Sequence, residues 1–214
     1  MTNLTIDSKL DEKDSAYVSS IFYEGKELLE KEGDHIISLE ENARLRIQEG
    51  KNSSVSRHGN WTKAGLIYFP RAAFLVKESF PIMRDARTAY FSYMNIGNHD
   101  GGHYYLNNYQ LREALIGSIE IPAQLESISC DQFGENKITQ FLFGEYAKAY
   151  GKFLQESGIK EMPIKLCNLE SEYFSSSKNF FATLFWFDSL NHNDSCLYGN
   201  LGLNFFNGVR GVQN

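Results

Sequence analysis

The chain has no uninterrupted apolar run near the roughly 18–20 residues that a membrane helix needs, so membrane insertion is not expected. Its first residues, Met1-Thr2-Asn3-Leu4-Thr5-Ile6-Asp7, carry neither the basic patch nor the apolar stretch of a secretory signal. The expectation is a soluble protein that would reach a cell or particle surface only by another route. Cysteine is scarce. Cys130, Cys167 and Cys196 are odd in number and far apart, with no CxxC pair, which argues against a finger-type zinc site and implies no disulfide framework. Basic charge is in deficit as well. Lys and Arg total 21 against 27 Asp and Glu, for a net charge of −6, so a sequence-independent grip on nucleic acid is excluded. No internal repeat is visible.

What is present reads as a globular protein. Of 214 residues, 42% are hydrophobic and 22% charged, close to the average for folded soluble domains. Aromatic content is high at 14%, with 16 Phe and 12 Tyr but only 2 Trp.

The first sixty residues differ in texture from the rest. Ala16, Val18, Ile21, Phe22, Leu28 and Leu29 predict an amphipathic helix over residues 14–31, capped by Asp14 or Ser15 and stopped by Gly33. A charged stretch to Ile47 and a polar linker, Glu49-Gly50-Lys51-Asn52-Ser53-Ser54, place a boundary near Gly59. Residues 1–60 are therefore expected to be an N-terminal helical and extended extension, and residues 61–214 the main domain. In that domain, Leu66-Ile67-Tyr68-Phe69-Pro70 and Ala72-Ala73-Phe74-Leu75-Val76 predict buried strands, and the Gly- and Asn-rich stretch 95–103 a loop. Asn107 or Asn108 caps a short helix through Leu111, Ala114 and Leu115, with Gly117 near its end. Tyr146, Tyr150, Phe153 and Leu154 predict a helix over residues 145–156, ended by Gly158. A strand starts at Pro163. Strands early and late with helices between them indicate an α+β fold.

The C-terminal segment is the most informative. Phe180-Phe181-Ala182-Thr183-Leu184-Phe185-Trp186-Phe187 predicts a central strand and Val209-Arg210-Gly211-Val212 a closing one. Between them, residues 188–207 follow neither helical nor strand periodicity and contain no Lys, Glu, Gln, Met or Trp. Those five types make up roughly a fifth of the chain, so their chance absence over this window is on the order of 1%. Tyr, Phe and His give contact area with few rotatable bonds, Asn, Ser and Asp give adaptable hydrogen bonds, and Gly permits bends. Such loops recognise partners when rigid strands hold both ends. The competing reading is a polar surface loop with Phe205 and Phe206 tucked inside.

Leu184-Phe185-Trp186-Phe187, the Leu/Asn/Ser/Gly-rich stretch and Gly208-Val209-Arg210-Gly211-Val212 resemble the variable region of diversity-generating retroelement variable proteins. The segments Gly65–Pro70, Phe133–Asn136, Phe143–Gly151 and Gly158–Ile164 resemble the scaffold of some members. The likeness runs from Trp61 to Val212 and leaves out residues 1–60. It implies a C-type lectin fold of the formylglycine-generating-enzyme type, with a variable region at about 184–212. In that family reverse transcription randomises template adenines, chiefly in Asn codons, and such codons never become Lys, Glu, Gln, Met or Trp. The resemblance thus implies a ligand-binding surface formed by Asp188, Asn191, His192, Asn193, Asp194, Ser195, Tyr198, Asn200, Asn204, Phe205, Phe206 and Asn207. It also implies a buried Trp186, and an Arg210 in the closing strand that holds the loop ends. The function implied is recognition of an unknown protein or glycan, without catalysis, cofactor or metal.

The alternative is an enzyme or metal-binding protein on the same scaffold. His99, Asp100 and His103 have suitable donor types, but three nearby glycines place them on a poorly preorganised turn. Gly97-Asn98-His99-Asp100 matches one fragment of a metallophosphoesterase site, whose remaining ligands are missing. Formylglycine chemistry needs two cysteines within reach of each other, and Cys130, Cys167 and Cys196 match no such motif.

Overall fold

A computed structural model describes residues 3–69, 72–78, 80–94, 104–122, 125–167, 180–190, 195–203 and 207–214. The chain opens with a hairpin, β1 (Leu4–Leu10) and β2 (Lys13–Ser20). Its turn residues Asp11 and Glu12 both hold positive φ, at 50° and 68°, which gives the turn the twist of the flanking strands. Residues 13–20 are strand, not the first half of the predicted helix. Ala16, Val18 and Ser20 are buried at alternate positions, and the backbone pairs along its length with the last strand. Only the second half is helical, as α1 (Phe22–Lys31). After β3 (Asp34–Ile36) comes α2 (Leu39–Glu49), started by a reciprocal cap between Ser38 and Glu41 and ended at Gly50, φ 83°.

The remaining elements are α3 (Ser54–Arg57), β4 (Asn60–Phe69), β5 (Ala72–Val76), α4 (Phe80–Arg84), α5 (Ala86–Met94), β6 (Tyr104–Leu106), α6 (Asn108–Ala114), β7 (Ile119–Ile121), β8 (Ser127–Ser129), α7 (Lys137–Phe143), α8 (Ala147–Glu156), β9 (Glu161–Lys165), β10 (Phe180–Phe187), β11 (Leu197–Tyr198) and β12 (Asn207–Gln213). The expected strands at 66–70 and 72–76, the capped helix after Asn107, the helix ending before Gly158 and the strand at Pro163 all form. Pro70 and the expected loop at 95–103 lie outside the described residues.

The strands form a mixed sheet in the order β1-β2-β12-β4-β10-β11-β9-β8, with β5 and β7 added beside β4 and β6 on β10. Side-chain alternation along β10 builds a core on each face. Phe181, Phe185 and Phe187 join Leu66 and Tyr68 of β4 against α2, α7 and α8. Ala182, Leu184 and Trp186 join Trp61, Ile67 and Val209 against Phe22 and Leu29 of α1. Burial on both faces is why β10 reads as a continuous apolar run rather than an alternating one. Each large side chain so enclosed contributes about 1.5–3 kcal/mol.

The expected division near residue 60 has no counterpart in the packing. β2 pairs with β12 from Asn207↔Ser20 to Val212↔Ser15, and α1 shares a core with Trp61 and Val209. Residues 3–60 are built into the same sheet as the C-terminal strands. They form no separate helix and linker.

Candidate functional site

β10 and β12 flank residues 188–207, and both strands are anchored in the centre of the sheet. β10 pairs with β4 and β12 with β2. The two strand ends that open onto the segment lie together, since Phe187 pairs with Asn60 and Val209 with Trp61.

The segment is not one continuous loop. Its first part leaves β10 through a closed neck, with the Asp188 amide donating to the Cys196 carbonyl at 2.9 Å. The Asp188 carboxylate accepts from the Ser189 amide at 2.7 Å, and the Leu190 amide donates to the Ser56 carbonyl at 2.6 Å. The chain then returns as β11. Trp186 pairs with Tyr198 and Phe187 with Leu197, and the other edge of β11 runs parallel to β9. Gly199 is pinned beyond it. Its carbonyl accepts from the Tyr68 hydroxyl at 3.1 Å and the Thr183 hydroxyl at 2.9 Å, and its amide donates to the Lys165 carbonyl at 2.8 Å. A Cβ at this position would collide with Leu66, so the close approach requires glycine. In β12, a Cβ at Gly208 would collide with the Tyr17 ring.

The expected contact residues divide accordingly. Asn200 is exposed, while Asp188 and Tyr198 are half-buried. Asn207 opens β12, with its backbone opposite Ser20. Ser195 departs from expectation. It is fully buried because it lies at the return of the neck beside Tyr150, so its side chain is packed against the interior and not displayed. Asn191, His192, Asn193, Asp194, Asn204, Phe205 and Phe206 lie outside the described residues.

Trp186 is buried as the resemblance implies, edge-on to Trp61 at 5.6 Å between ring centroids. Arg210 holds different partners from those expected. Its fully buried guanidinium donates to Asp7 at 2.6 and 3.2 Å and to Ser15 at 3.1 Å, and lies 5.3 Å from the Tyr17 ring centre. The Ser54 hydroxyl also donates to Asp7. Arg210 therefore ties β12 to the N-terminal hairpin and does not clasp the two loop ends together. Burial raises the Tyr17 pKa; Arg210 opposes that rise and Asp7 adds to it.

Sequence reasoning missed the residues that hold the neck. Arg46 of α2, also fully buried, donates to the Asp188 carbonyl at 2.7 Å and to the Tyr150 hydroxyl at 3.2 Å. Burial raises the Tyr150 pKa, offset in part by Arg46 and the Ser195 hydroxyl. In the sequence Arg46 is one charge among many on a polar helix, with no signal that it points inward.

Groups with catalytic potential are arranged less favourably. Burial pushes the Cys130 thiol up to about 11, aided by Asp131 and Glu161, and the Cys167 thiol up to about 11. Both are protonated at neutral pH, and the thiol is a poor nucleophile and metal ligand. Among the described residues, no group of three or more His, Cys, Asp or Glu is placed to hold a metal. His99, Asp100 and His103 lie outside those residues. A cavity of about 490 Å3 is lined by Glu30, His35, Lys63, Glu78 and Arg84 among others, and by no described residue of the segment. No described helix is long and apolar enough to cross a membrane.

No protein-family model matches the sequence, and no curated protein matches it. The fold has a solved counterpart. A Nanoarchaeota structure, reported for the accommodation of massive sequence variation by the C-type lectin fold, superimposes with a TM-score of 0.67 at 17% identity. The match covers 96% of this chain and 99% of that one. The architecture is an α+β C-type lectin fold.

Proposed function

We propose that this chain is a variable protein of a diversity-generating retroelement and that it recognises a protein or glycan through a surface formed by residues 188–207. Binding is non-covalent, without turnover, cofactor or metal. The observation that carries the reading is the coincidence of composition and place. The window lacking Lys, Glu, Gln, Met and Trp begins where β10 ends and stops where β12 begins, in a fold whose solved counterpart accommodates massive sequence variation.

The burial of the described positions supports a subset of them as contacts. Asn200 is exposed and Tyr198 half-buried, and Asn191, His192, Asn193, Asp194, Asn204, Phe205 and Phe206 join them as contacts on the composition of the window. Aromatic and histidine side chains would supply contact area, and Asn and Asp would orient the partner. Ser195, Leu197, Gly199 and Leu203 belong to the support. Sequencing the surrounding locus tests the reading. A neighbouring reverse transcriptase and a near-copy of the coding segment for residues 184–212, differing mainly at adenines, are expected. A locus without any such repeat would refute the proposal.

A further inference from the structure

The structure assigns to Arg46 the role of positioning residue for the recognition surface, an inference that rests on the recognition reading above. A buried cation is ordinarily held by a carboxylate, because desolvating a charge is costly. Arg210 follows that rule through Asp7. Arg46 does not. Its guanidinium is fully buried, yet its partners are a carbonyl, a phenol and a ring: Asp188 O at 2.7 Å, Tyr150 Oη at 3.2 Å, and the Phe187 ring, whose centre is 3.9 Å from Cζ.

All three partners lie at the neck of the first loop. Phe187 is the last residue of β10, and Asp188 is the first residue beyond it. Tyr150, on α8, lies beside Ser195 where the chain returns. One planar group thus fixes the outgoing strand by stacking and a charge-assisted hydrogen bond, and it holds the Tyr150 phenol where the chain returns. A flat fork with several donors can do this; an ammonium offers no plane to stack, and an apolar chain no donor. An apolar side chain of similar volume would avoid the desolvation cost, so the charge earns its place through orientation. α3 completes the clamp by accepting the Leu190 amide on Ser56. The clamp comes from residues 39–57, which the resemblance to the variable-protein family leaves out.

The test uses the full chain carrying R46M or R46K. Amide hydrogen exchange at Asp188, Ser189 and Leu190 is expected to rise by about tenfold in R46M and by less in R46K, while amides of α8 and β4 keep their wild-type rates. No rise at the neck overturns the assignment. So does an equal rise through α8 and β4, which would mean that Arg46 only stabilises the whole fold. If R46M does not fold, the same comparison in R46K decides. A second arm displays a library randomised at positions 191–194, selects a binder to lysozyme as probe and transfers R46K into it. The dissociation rate is expected to rise by about tenfold with an unchanged thermal midpoint, and an unchanged rate overturns the assignment. A library yielding no binder would count against the recognition reading, leaving the exchange comparison to decide the role of Arg46.

Discussion

Gly199 and Asn200 are adjacent in the segment 188–207, yet the structure gives them opposite tolerances. Asn200 is exposed. Gly199 sits over β10 and β4 with both backbone polar groups used, by Tyr68, Thr183 and Lys165. A Cβ at 199 would collide with Leu66 and crowd Phe185. Leu66 is fully buried among Tyr68, Phe181 and Phe185, so it cannot swing aside without disturbing its neighbours. Overpacking of this kind costs about 1–3 kcal/mol. A further 1 kcal/mol or so is expected if the Gly199 carbonyl is pushed off its two hydroxyl donors. Gly199→Ala should therefore lower stability by about 2–4 kcal/mol, a fall of roughly 4–16 °C in midpoint for a chain of this size. Asn200→Ala should stay within about 0.5 kcal/mol of the parent. Urea unfolding followed by fluorescence measures both. Equal stability of the two variants would refute the division of the segment into pinned and open positions.

Three further outcomes follow from the same contacts. Asp7→Asn should destabilise by about 3 kcal/mol, because it leaves the Arg210 guanidinium buried without its carboxylate; a double-mutant cycle with R210M should recover much of that loss, and strict additivity would contradict the pairing. Glu41, at the start of α2, has its pKa lowered to about 2 from 4.5 by hydrogen bonds from His35 and Ser38, against the opposing effect of burial. A depressed carboxylate pKa stabilises above the unfolded value and loses that contribution as pH falls through the folded one. Glu41→Gln should thus cost about 2 kcal/mol at pH 7 after allowance for solvent screening, and the difference from wild type should shrink as pH falls from 4.5 to about 2; a difference constant with pH would sink the assignment. Tyr68→Phe should cost about 1–3 kcal/mol through the lost bonds to Gly199 and from the Cys167 amide, and a neutral result in urea unfolding would remove Tyr68 from the support.

The elements legible in the sequence are those whose local signal and tertiary environment agree. β10 is apolar at every position except Thr183 because both its faces are covered, and α8 repeats at helical spacing with Gly158, φ 93°, as its stop. The N-terminal hairpin was hidden because its turn is made by Asp11 and Glu12 in left-handed conformation, without the glycine that usually marks such a turn. Its second strand also shares residues such as Ala16 and Val18 with a plausible helical face. In the site, the composition of residues 188–207 marked the segment, and Trp186 could be read as scaffold. The division by β11 could not, since two residues carry no periodicity. Arg46, Arg210 and Asp7 look like surface charges in a linear sequence, and only the fold turns them inward.

The most direct measurement is the thermal midpoint of chains in which Asn191, His192, Asn193, Asp194, Asn200, Asn204, Phe205 and Phe206 are replaced together, with Ser195, Leu197, Gly199 and Leu203 kept. If these positions form a display surface on a self-sufficient scaffold, most such variants should melt within a few degrees of the parent. Midpoints falling by more than about 10 °C across the set would mean that the segment is part of the core, and the account would be wrong.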